Sequence, residues 1–328
     1  MRIRAYIIAM SIIVGGCSKD PPITDGSVCY HFPTIQGPTI CYLYSEGQYQ
    51  FKAPCFNPNN QDEFCYLFIN HETNVSKLMR YSLTSKESST VVEGFSILGQ
   101  PKWSKKNWIV FSTIDHQLWK VKSNGDSLIH LTFEGSSLYP EVNPQGTVIA
   151  FNQQTSTQEL PFLHFINDNG FSIDTIDYFK FSNGAWGATS WSKNDELAFP
   201  YGSEVDYGVA SFDLISESLD QIVSNGYHSG KDKIEDIKWH PNSQDIYYTK
   251  WKSGFYRINI FSKQEQLLKE GCDSRAYEHF SISQDGLKII TERVNSFVED
   301  ECTIIQNSTI YLMDINGLDE VEIELPIE

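Results

Sequence analysis

The hydrophobic and polar positions of this chain repeat as a short phrase. An apolar residue, usually aromatic, precedes Ser, Asn or His; a polar turn follows, and then a run of four or five residues that favour β-structure. Repeats of this length predict stacked four-stranded units. Six copies occur at intervals of 39 to 49 residues, and they begin with Phe56-Asn57, Trp103-Ser104, Val142-Asn143, Trp191-Ser192, Trp239-His240 and Ile282-Ser283.

The strand that follows each phrase is almost continuously apolar, as in Trp108–Phe111 and Val148–Phe151. Such a run predicts a strand that is covered on both faces. Asn-Gly hairpin signals separate the outer strands of the second, third and sixth repeats, as at Asn124-Gly125. Because no single unit could cover both of its faces, the copies should close into a ring. We therefore predict an all-β fold, a six-bladed β-propeller of four-stranded antiparallel blades over residues 51–328.

The repeats also resemble a known family. The Trp103-Ser104 and Trp191-Ser192 phrases look like the β-propeller repeats of the TolB family, whose usual phrase is Trp-Ser-Pro-Asp-Gly-Lys. Other parts of that phrase stand at 143–146 and 283–288. The resemblance covers about residues 51 to 325 and implies a six-bladed ring. It carries over no catalytic residue, because the phrase is structural. The position in the repeat predicts that the repeated Trp side chains lie in the core and that His240 lies in a turn.

The first residues of the chain predict a secretion signal. Arg2 and Arg4 form a basic start, and the short apolar stretch Ala5–Val14 follows. The sequence Val-Gly-Gly-Cys that ends at Cys17 resembles a bacterial lipobox. It implies a signal peptide over residues 1–16, a lipid on Cys17 and, with Ser18 next, an anchor in the outer membrane, facing the periplasm or the cell surface.

The segment after the lipobox resembles the export signal of Bacteroidetes surface lipoproteins over residues 17–20. Residues 17–26 are a polar, Pro-containing sequence that we interpret as a tether. Residues 27–50 are too short for a blade and could supply a strand that closes the ring. No other segment is long and apolar enough to cross a membrane.

Charge and cysteine content limit the partners, disulfides and metal sites that the chain can have. The chain has 42 acidic and 25 basic residues and a net charge of −17, which argues against nucleic acid as a partner. Besides Cys17, six cysteines suggest disulfides. Fifteen connectivities are open, and local pairs are the simplest: Cys29–Cys41, Cys55–Cys65 and Cys272–Cys302. Because no close Cys-x-x-Cys or His pair and no phosphate-binding Gly loop is present, we predict no metal and no cofactor.

Residues outside the repeat are the best candidates for function. The loops that share one rim of a propeller carry several Tyr, Trp and Arg residues, which are favoured at binding hot spots. They predict a non-catalytic rim that binds an envelope protein or peptide, and a glycan is the alternative ligand. The rim candidates are His116, Tyr139, Trp186, Tyr201, Tyr207, Trp251 and Arg275.

An enzyme that acts on glycans or lactones is a further alternative, since it would gather carboxylates at the mouth of the channel. The positions at or just before the first strand of each blade do not form an obvious set of ligands. They are Gln100, Tyr139, Thr189, Glu235 and Glu278.

Overall fold

The fold is built entirely of β-strands. The structure is a computed structural model that describes residue 29 and residues 43–155, 162–176, 187–202, 207–224, 234–298 and 303–327. Every regular element in those ranges is a strand, and none of the described residues forms a helix that could cross a membrane. The predicted signal peptide, Cys17 and the tether lie outside the described residues.

Five antiparallel sheets of four strands follow one another along the chain, and we number them blades 1 to 5. Blade 1 contains β2 (Tyr49–Asn57), β3 (Asn60–Asn70), β4 (Val75–Ser82) and β5 (Ser88–Glu93). Blade 2 contains β6 (Ile97–Trp103), β7 (Trp108–Thr113), β8 (Leu118–Lys122) and β9 (Ile129–His130). Blade 3 contains β10 (Ser136–Val142), β11 (Val148–Gln154), β12 (Phe162–Asn167) and β13 (Ser172–Ile176). Blade 4 contains β14 (Ser190–Trp191), β15 (Glu196–Gly202), β16 (Tyr207–Asp213) and β17 (Ser218–Ser224). Blade 5 contains β18 (Ile234–Trp239), β19 (Asp245–Lys250), β20 (Gly254–Asn259) and β21 (Glu265–Glu270).

Blade 6 is completed by the beginning of the described chain. It contains β22 (Arg275–Ile282), β23 (Lys288–Val298) and β24 (Thr303–Asp314). Strand β1 (Leu43–Glu46) pairs in parallel with β24, and the short β25 (Val321–Glu322) pairs with the other end of β24. The outer position of this blade is therefore filled by β1 and β25, which come from opposite ends of the described chain. The prediction of a six-bladed, four-stranded propeller is confirmed.

The side chain of Gln50 joins blade 1 to blade 6. Its Nε2 donates to the carbonyls of Gly47 and Gln306 at 3.1 and 2.9 Å, and its Oε1 accepts from the backbone N–H of Ser308. Only 1% of Gln50 is exposed. These bonds hold the first blade against β24 at the point where the ring closes.

Replacing Gln50 with Ala should lower the free energy of unfolding by about 2–3 kcal/mol, because buried backbone groups would lose their partners. Urea unfolding measures this. The matched control is Gln266→Ala, since Gln266 is exposed and accepts one bond from Arg257. Equal losses in the two variants would contradict this role of Gln50.

The hydrophobic core is divided among the blade interfaces. Among the described residues, buried side chains form six clusters, and each contains residues from two neighbouring blades. Trp103 and Trp239 are buried in such clusters, and Trp191 packs against a third. The cluster between blades 6 and 1 includes Phe64 and Ile310. Because every blade faces a neighbour on each side, no blade could bury its faces alone, as the apolar strands predicted.

The polar residue of each phrase closes the turn between the first two strands of its blade. Asn143 Oδ1 accepts from the N–H groups of Thr147 and Val148 at 2.8 and 3.0 Å. His240 does the same with a ring nitrogen: Nδ1 accepts from Asn242 N–H at 3.1 Å, and Nε2 donates to the carbonyl of Gly286 in blade 6 at 3.0 Å. His240 is therefore a turn residue, as predicted.

The described cysteines pair differently from the local pattern that the sequence favoured. Cys29 is joined by a disulfide to Cys272, 243 residues away. That bond rules out both Cys29–Cys41 and Cys272–Cys302, because chain closure brings the N-terminal segment to blade 6. Cys55 and Cys65 are free thiols. Cys41 and Cys302 lie outside the described residues.

Candidate functional site

A pocket opens between blades 5 and 6 on the face where the first strand of each blade begins. Its volume is about 440 Å³, and it is lined by Glu235, Trp251, Glu278 and His279. Glu235 lies in β18, Trp251 in the turn between β19 and β20, and the other two residues in β22. The pocket thus combines one aromatic ring, two carboxylates and one imidazole.

Bulges in the innermost strands create this arrangement. Pairing between the first and second strands is interrupted in blades 1, 2, 3, 5 and 6. In β18 the irregularity lies between Ile234 and Asp236, and in β22 it lies between Tyr277 and Phe280. A bulge re-aims side chains next to the interruption. The polar pocket residues Glu235, Glu278 and His279 are the residues inside these two bulges.

Buried charged side chains cross the inner part of the ring. Lys102 Nζ lies 2.8 Å from a carboxylate oxygen of Glu141, and Lys238 Nζ lies 2.5 Å from Asp236 Oδ1. All four residues belong to innermost strands, and Asp236 has no exposed surface. Its Oδ2 also accepts from the N–H of Phe280 at 3.0 Å. These contacts link blade 2 to blade 3 and blade 5 to blade 6.

Gln100 extends this network across the ring. Its Nε2 donates to the carbonyl of Pro54 in blade 1 and to that of Phe280 in blade 6, at 2.5 and 2.8 Å. Its Oε1 accepts from Lys102 at 2.5 Å. Because Gln100 belongs to blade 2, a side chain here spans blades that are not neighbours. Gln100 therefore crosses the inner part of the ring and joins blades 1, 2 and 6.

The network favours the charged forms of Lys102 and Asp236, whereas burial lowers the pKa of Lys238. Burial alone would lower the pKa of Lys102, but the carboxylates of Glu141 and Asp236 outweigh it and raise that pKa. Burial would raise the pKa of Asp236, yet the ammonium groups of Lys238 and Lys102 hold it below the ordinary value. Charged groups that hold one another in this way are suited to fixing the blades, not to exchanging protons.

Cys55 and Cys65 form a buried thiol pair beside this network. They are direct partners across β2 and β3, and both are buried. A hydrogen bond from Cys65 and the charge of Lys102 lower the pKa of Cys55 to about 7 against the opposing effect of burial. The predicted Cys55–Cys65 disulfide is absent although the register is as expected. Because neither sulfur is open to solvent, we assign this pair no nucleophilic role.

Trp251 is the predicted rim residue that the structure places in the pocket. Arg275 begins β22, the strand that carries Glu278 and His279, and its Nη2 donates to the carbonyl of Glu270 at 3.1 Å. Those two predicted residues therefore belong to the same side of the ring, at blades 5 and 6.

Of the other predicted rim residues, those that the structure describes do not line this pocket. His116 is exposed in the turn between β7 and β8, where its Nδ1 lies 3.0 Å from Ser136 Oγ. Tyr139 lies in β10, with its ring beside Gly99. Tyr201 is buried, and its hydroxyl donates to the carbonyl of Val223 at 3.0 Å, so it supports blade 4 and is not a rim residue. Trp186 and the side chain of Tyr207 lie outside the described residues.

Three side chains near the pocket could hold a metal ion, although the sequence predicted no such site. One ligand atom each of Glu278, His279 and Glu292 lies within 4.8 Å of the others. Sequence reasoning missed Glu292 because it stands within a strand of the repeat and not in one of the rim loops. A charged residue within a buried strand is the signal that could have found Glu292, because buried strands rarely carry a charge without a partner. Lys102 and Lys238, directly before the repeated Trp, are residues of the same kind.

Solved structures with similar folds are known, whereas no protein-family model and no curated protein sequence matches this chain. An oligogalacturonate lyase in complex with manganese has a TM-score of 0.53 at 12% identity, over 84% of this chain and 77% of that chain. A nidogen/laminin complex gives 0.51 at 12% identity, over 66% and 78%. TolB from Acinetobacter baumannii gives 0.50 at 14% identity, over 84% and 67%. At these identities the likeness concerns the fold alone, and it shows that the chain is a β-propeller similar to TolB and to the lyase.

Proposed function

We propose that this chain is a lipid-anchored protein of the bacterial cell envelope whose propeller binds, without chemical conversion, a segment of another envelope protein or a peptide. The observation that carries the proposal is the pocket between blades 5 and 6. Its volume of about 440 Å³ is in the range of ligand sites. It sits on a ring whose blades are fixed to one another by buried cores, so little ordering is needed on binding.

Gln100 and the paired charges occupy the inner part of the ring. We therefore place the ligand at the mouth of the channel, where it inserts a side chain or a chain end. Trp251 offers the kind of aromatic surface that dominates binding energy. In the described part of the channel, Glu141 and Asp236 each hold a lysine. That pairing favours binding over acid–base catalysis by these carboxylates.

Trp251→Ala should reduce co-purification of the partner from detergent-solubilised envelopes by about tenfold or more, because an aromatic hot spot contributes at least 1–2 kcal/mol. The matched control is Phe261→Ala. Phe261 is exposed in the same blade, in the turn between β20 and β21 at the opposite face of the ring. Loss of the partner in both variants, or in neither, would argue against the pocket as the binding site.

Cys17→Ala should release the protein from the membrane fraction, because the lipid that we expect on Cys17 could no longer be attached. Fractionation of cells and labelling with a radioactive fatty acid measure this. Ser18→Ala is the control and should remain labelled and sedimentable. A labelled Cys17→Ala protein would refute lipidation at this cysteine.

A glycan is the second candidate ligand, and the composition of the pocket favours it. An aromatic ring beside two carboxylates can stack on a sugar and accept hydrogen bonds from its hydroxyl groups. A glycan array separates the two candidates: saturable binding of a sugar that depends on Trp251 would favour this ligand over a peptide.

A further inference from the structure

Two bulged residues and one residue opposite them form a compact group of ligand atoms. In a regular strand Glu278 and His279 would point to opposite faces. The pairing of β22 with β23 shifts between Tyr277, which opposes Arg293, and Phe280, which opposes Thr291. Glu292 is therefore the single residue that faces this bulge. The consequence is that ligand atoms of all three side chains lie within 4.8 Å of one another.

Two polar atoms of this group lack partners. Glu292 has no exposed surface. Its Oε2 accepts from the N–H of Ala53 at 3.0 Å, whereas its Oε1 has no hydrogen-bond partner within the described ranges. His279 Nδ1 is likewise buried without a hydrogen bond, 4.0 Å from Asp236 Oδ2. A buried carboxylate oxygen without a donor is costly, so a group that binds there would be stabilising.

The nearby ammonium groups are directed to other carboxylates. Lys52 Nζ lies 3.4 Å from Glu46 Oε1, Lys238 pairs with Asp236 and Lys102 pairs with Glu141. Lys52 is close enough to Glu292 and Glu278 for their charges to help raise its pKa, against burial, which acts in the opposite direction. It makes no hydrogen bond to Glu292 in the part of the chain that is described. The buried carboxylate of Glu292 thus has no ammonium group bonded to it among the described residues.

We propose that Glu278, His279 and Glu292 bind a divalent transition-metal cation, Zn²⁺ or Mn²⁺, at the mouth of the channel. The donor set of one imidazole and two carboxylates suits these ions better than Ca²⁺ or Mg²⁺, which take oxygen ligands. Three protein ligands leave at least one coordination position open. Since Glu278 and His279 also line the pocket, a cation held by the three residues would border it. The cation site does not depend on the proposed peptide binding.

The test is equilibrium dialysis of the purified full chain in detergent against Zn²⁺, with metal analysis of the protein. We expect one saturable equivalent with an affinity well above that for Ca²⁺. Glu278→Gln and His279→Ala should each weaken binding by roughly 100-fold or more, because even ligand-supporting residues contribute 10–100-fold. Both residues are partly exposed, so these variants should fold. Mn²⁺ in the same samples, followed by electron paramagnetic resonance, reports binding without any contribution from the two buried thiols.

The matched control is Glu235→Gln, which removes a carboxylate of the same pocket that lies outside the group of three. It should change the affinity less than threefold. Absence of saturable binding, binding that survives Glu278→Gln and His279→Ala, or an equal loss in Glu235→Gln would each overturn the proposal. Because the experiment contains no peptide or envelope partner, its failure would leave the proposed function standing, and failure of the partner to bind would leave the metal site standing.

Discussion

Asp236→Ala should destabilise the protein by about 3–5 kcal/mol, because it removes one member of a buried ion pair and leaves the other uncompensated. Lys238 would remain buried with its ammonium 2.5 Å from the vacated position. The N–H of Phe280 in the next blade would also lose its acceptor. Denaturant unfolding, followed by tryptophan fluorescence, measures the loss.

The control is a pair of the same chemistry on the surface. Asp220 and Lys263 lie 2.8 Å apart between blades 4 and 5, with 66% and 40% of their side chains exposed. Asp220→Ala should cost less than about 1 kcal/mol, since exposed pairs contribute little. If the two variants were equally stable, the charged network would have no part in holding the blades together.

The same carboxylate predicts a dependence on pH. Burial would raise the pKa of Asp236, but Lys238 and Lys102 outweigh burial and hold it below the ordinary value of 3.8. A group with a lowered folded pKa stabilises the protein fully above its unfolded pKa and loses that contribution as pH falls through the folded pKa. The stability gap between the wild-type protein and Asp236→Ala should therefore be constant above pH 5 and shrink below pH 4. A gap that widens on acidification would contradict the charge state assigned to Asp236.

Cys29→Ser should lower the free energy of unfolding by about 2–5 kcal/mol, as expected for the loss of a native disulfide that closes a long loop. The bond spans 243 residues and ties the segment before blade 1 to the beginning of blade 6. In the unfolded chain this disulfide restricts the conformations of nearly the whole propeller sequence. That restriction is the main source of its contribution to the free energy of unfolding. Unfolding in denaturant without reductant gives the difference.

Peptide mapping without reduction provides the check on connectivity. The wild-type protein should yield one linked peptide with Cys29 and Cys272, and Cys55 and Cys65 should react with a thiol reagent only after unfolding. A peptide that links Cys29 to Cys41 would contradict the structure. The loss of stability predicted for Cys29→Ser would then have no basis.

The architecture was predictable because it depends on a pattern that recurs. The apolar residue, the polar turn residue and the buried second strand repeat six times. A copy that departs from the pattern can therefore be recognised from the other copies. Trp103 and Trp239 lie in the cores between blades, and His240 closes a turn, as their positions in the phrase indicated. The disulfide was not predictable in this way. Cys29 meets Cys272 only because the ring closes, and spacing along the chain favours near neighbours.

The candidate site was less accessible to sequence reasoning. Aromatic residues in loops predicted one binding rim, and one of them, Trp251, does line the pocket. Tyr201, in contrast, is buried and bonds to its own blade. The grouping of Glu278, His279 and Glu292 depends on a bulge in β22, and a bulge leaves no mark in a single sequence. The sequence placed Glu235 and Glu278 near the starts of innermost strands. It could not show that the two carboxylates share one pocket, because that depends on how blades 5 and 6 are packed.

Photocross-linking in intact cells tests most directly the claim that this pocket is where the protein meets its partner. A photoreactive phenylalanine derivative is placed at position 251 in one variant and at position 261 in another, at opposite faces of blade 5. We predict discrete adducts of the same mass at 251 and none at 261. Adducts at 261 alone, or the same adducts at both positions, would contradict the assignment of this face of the ring.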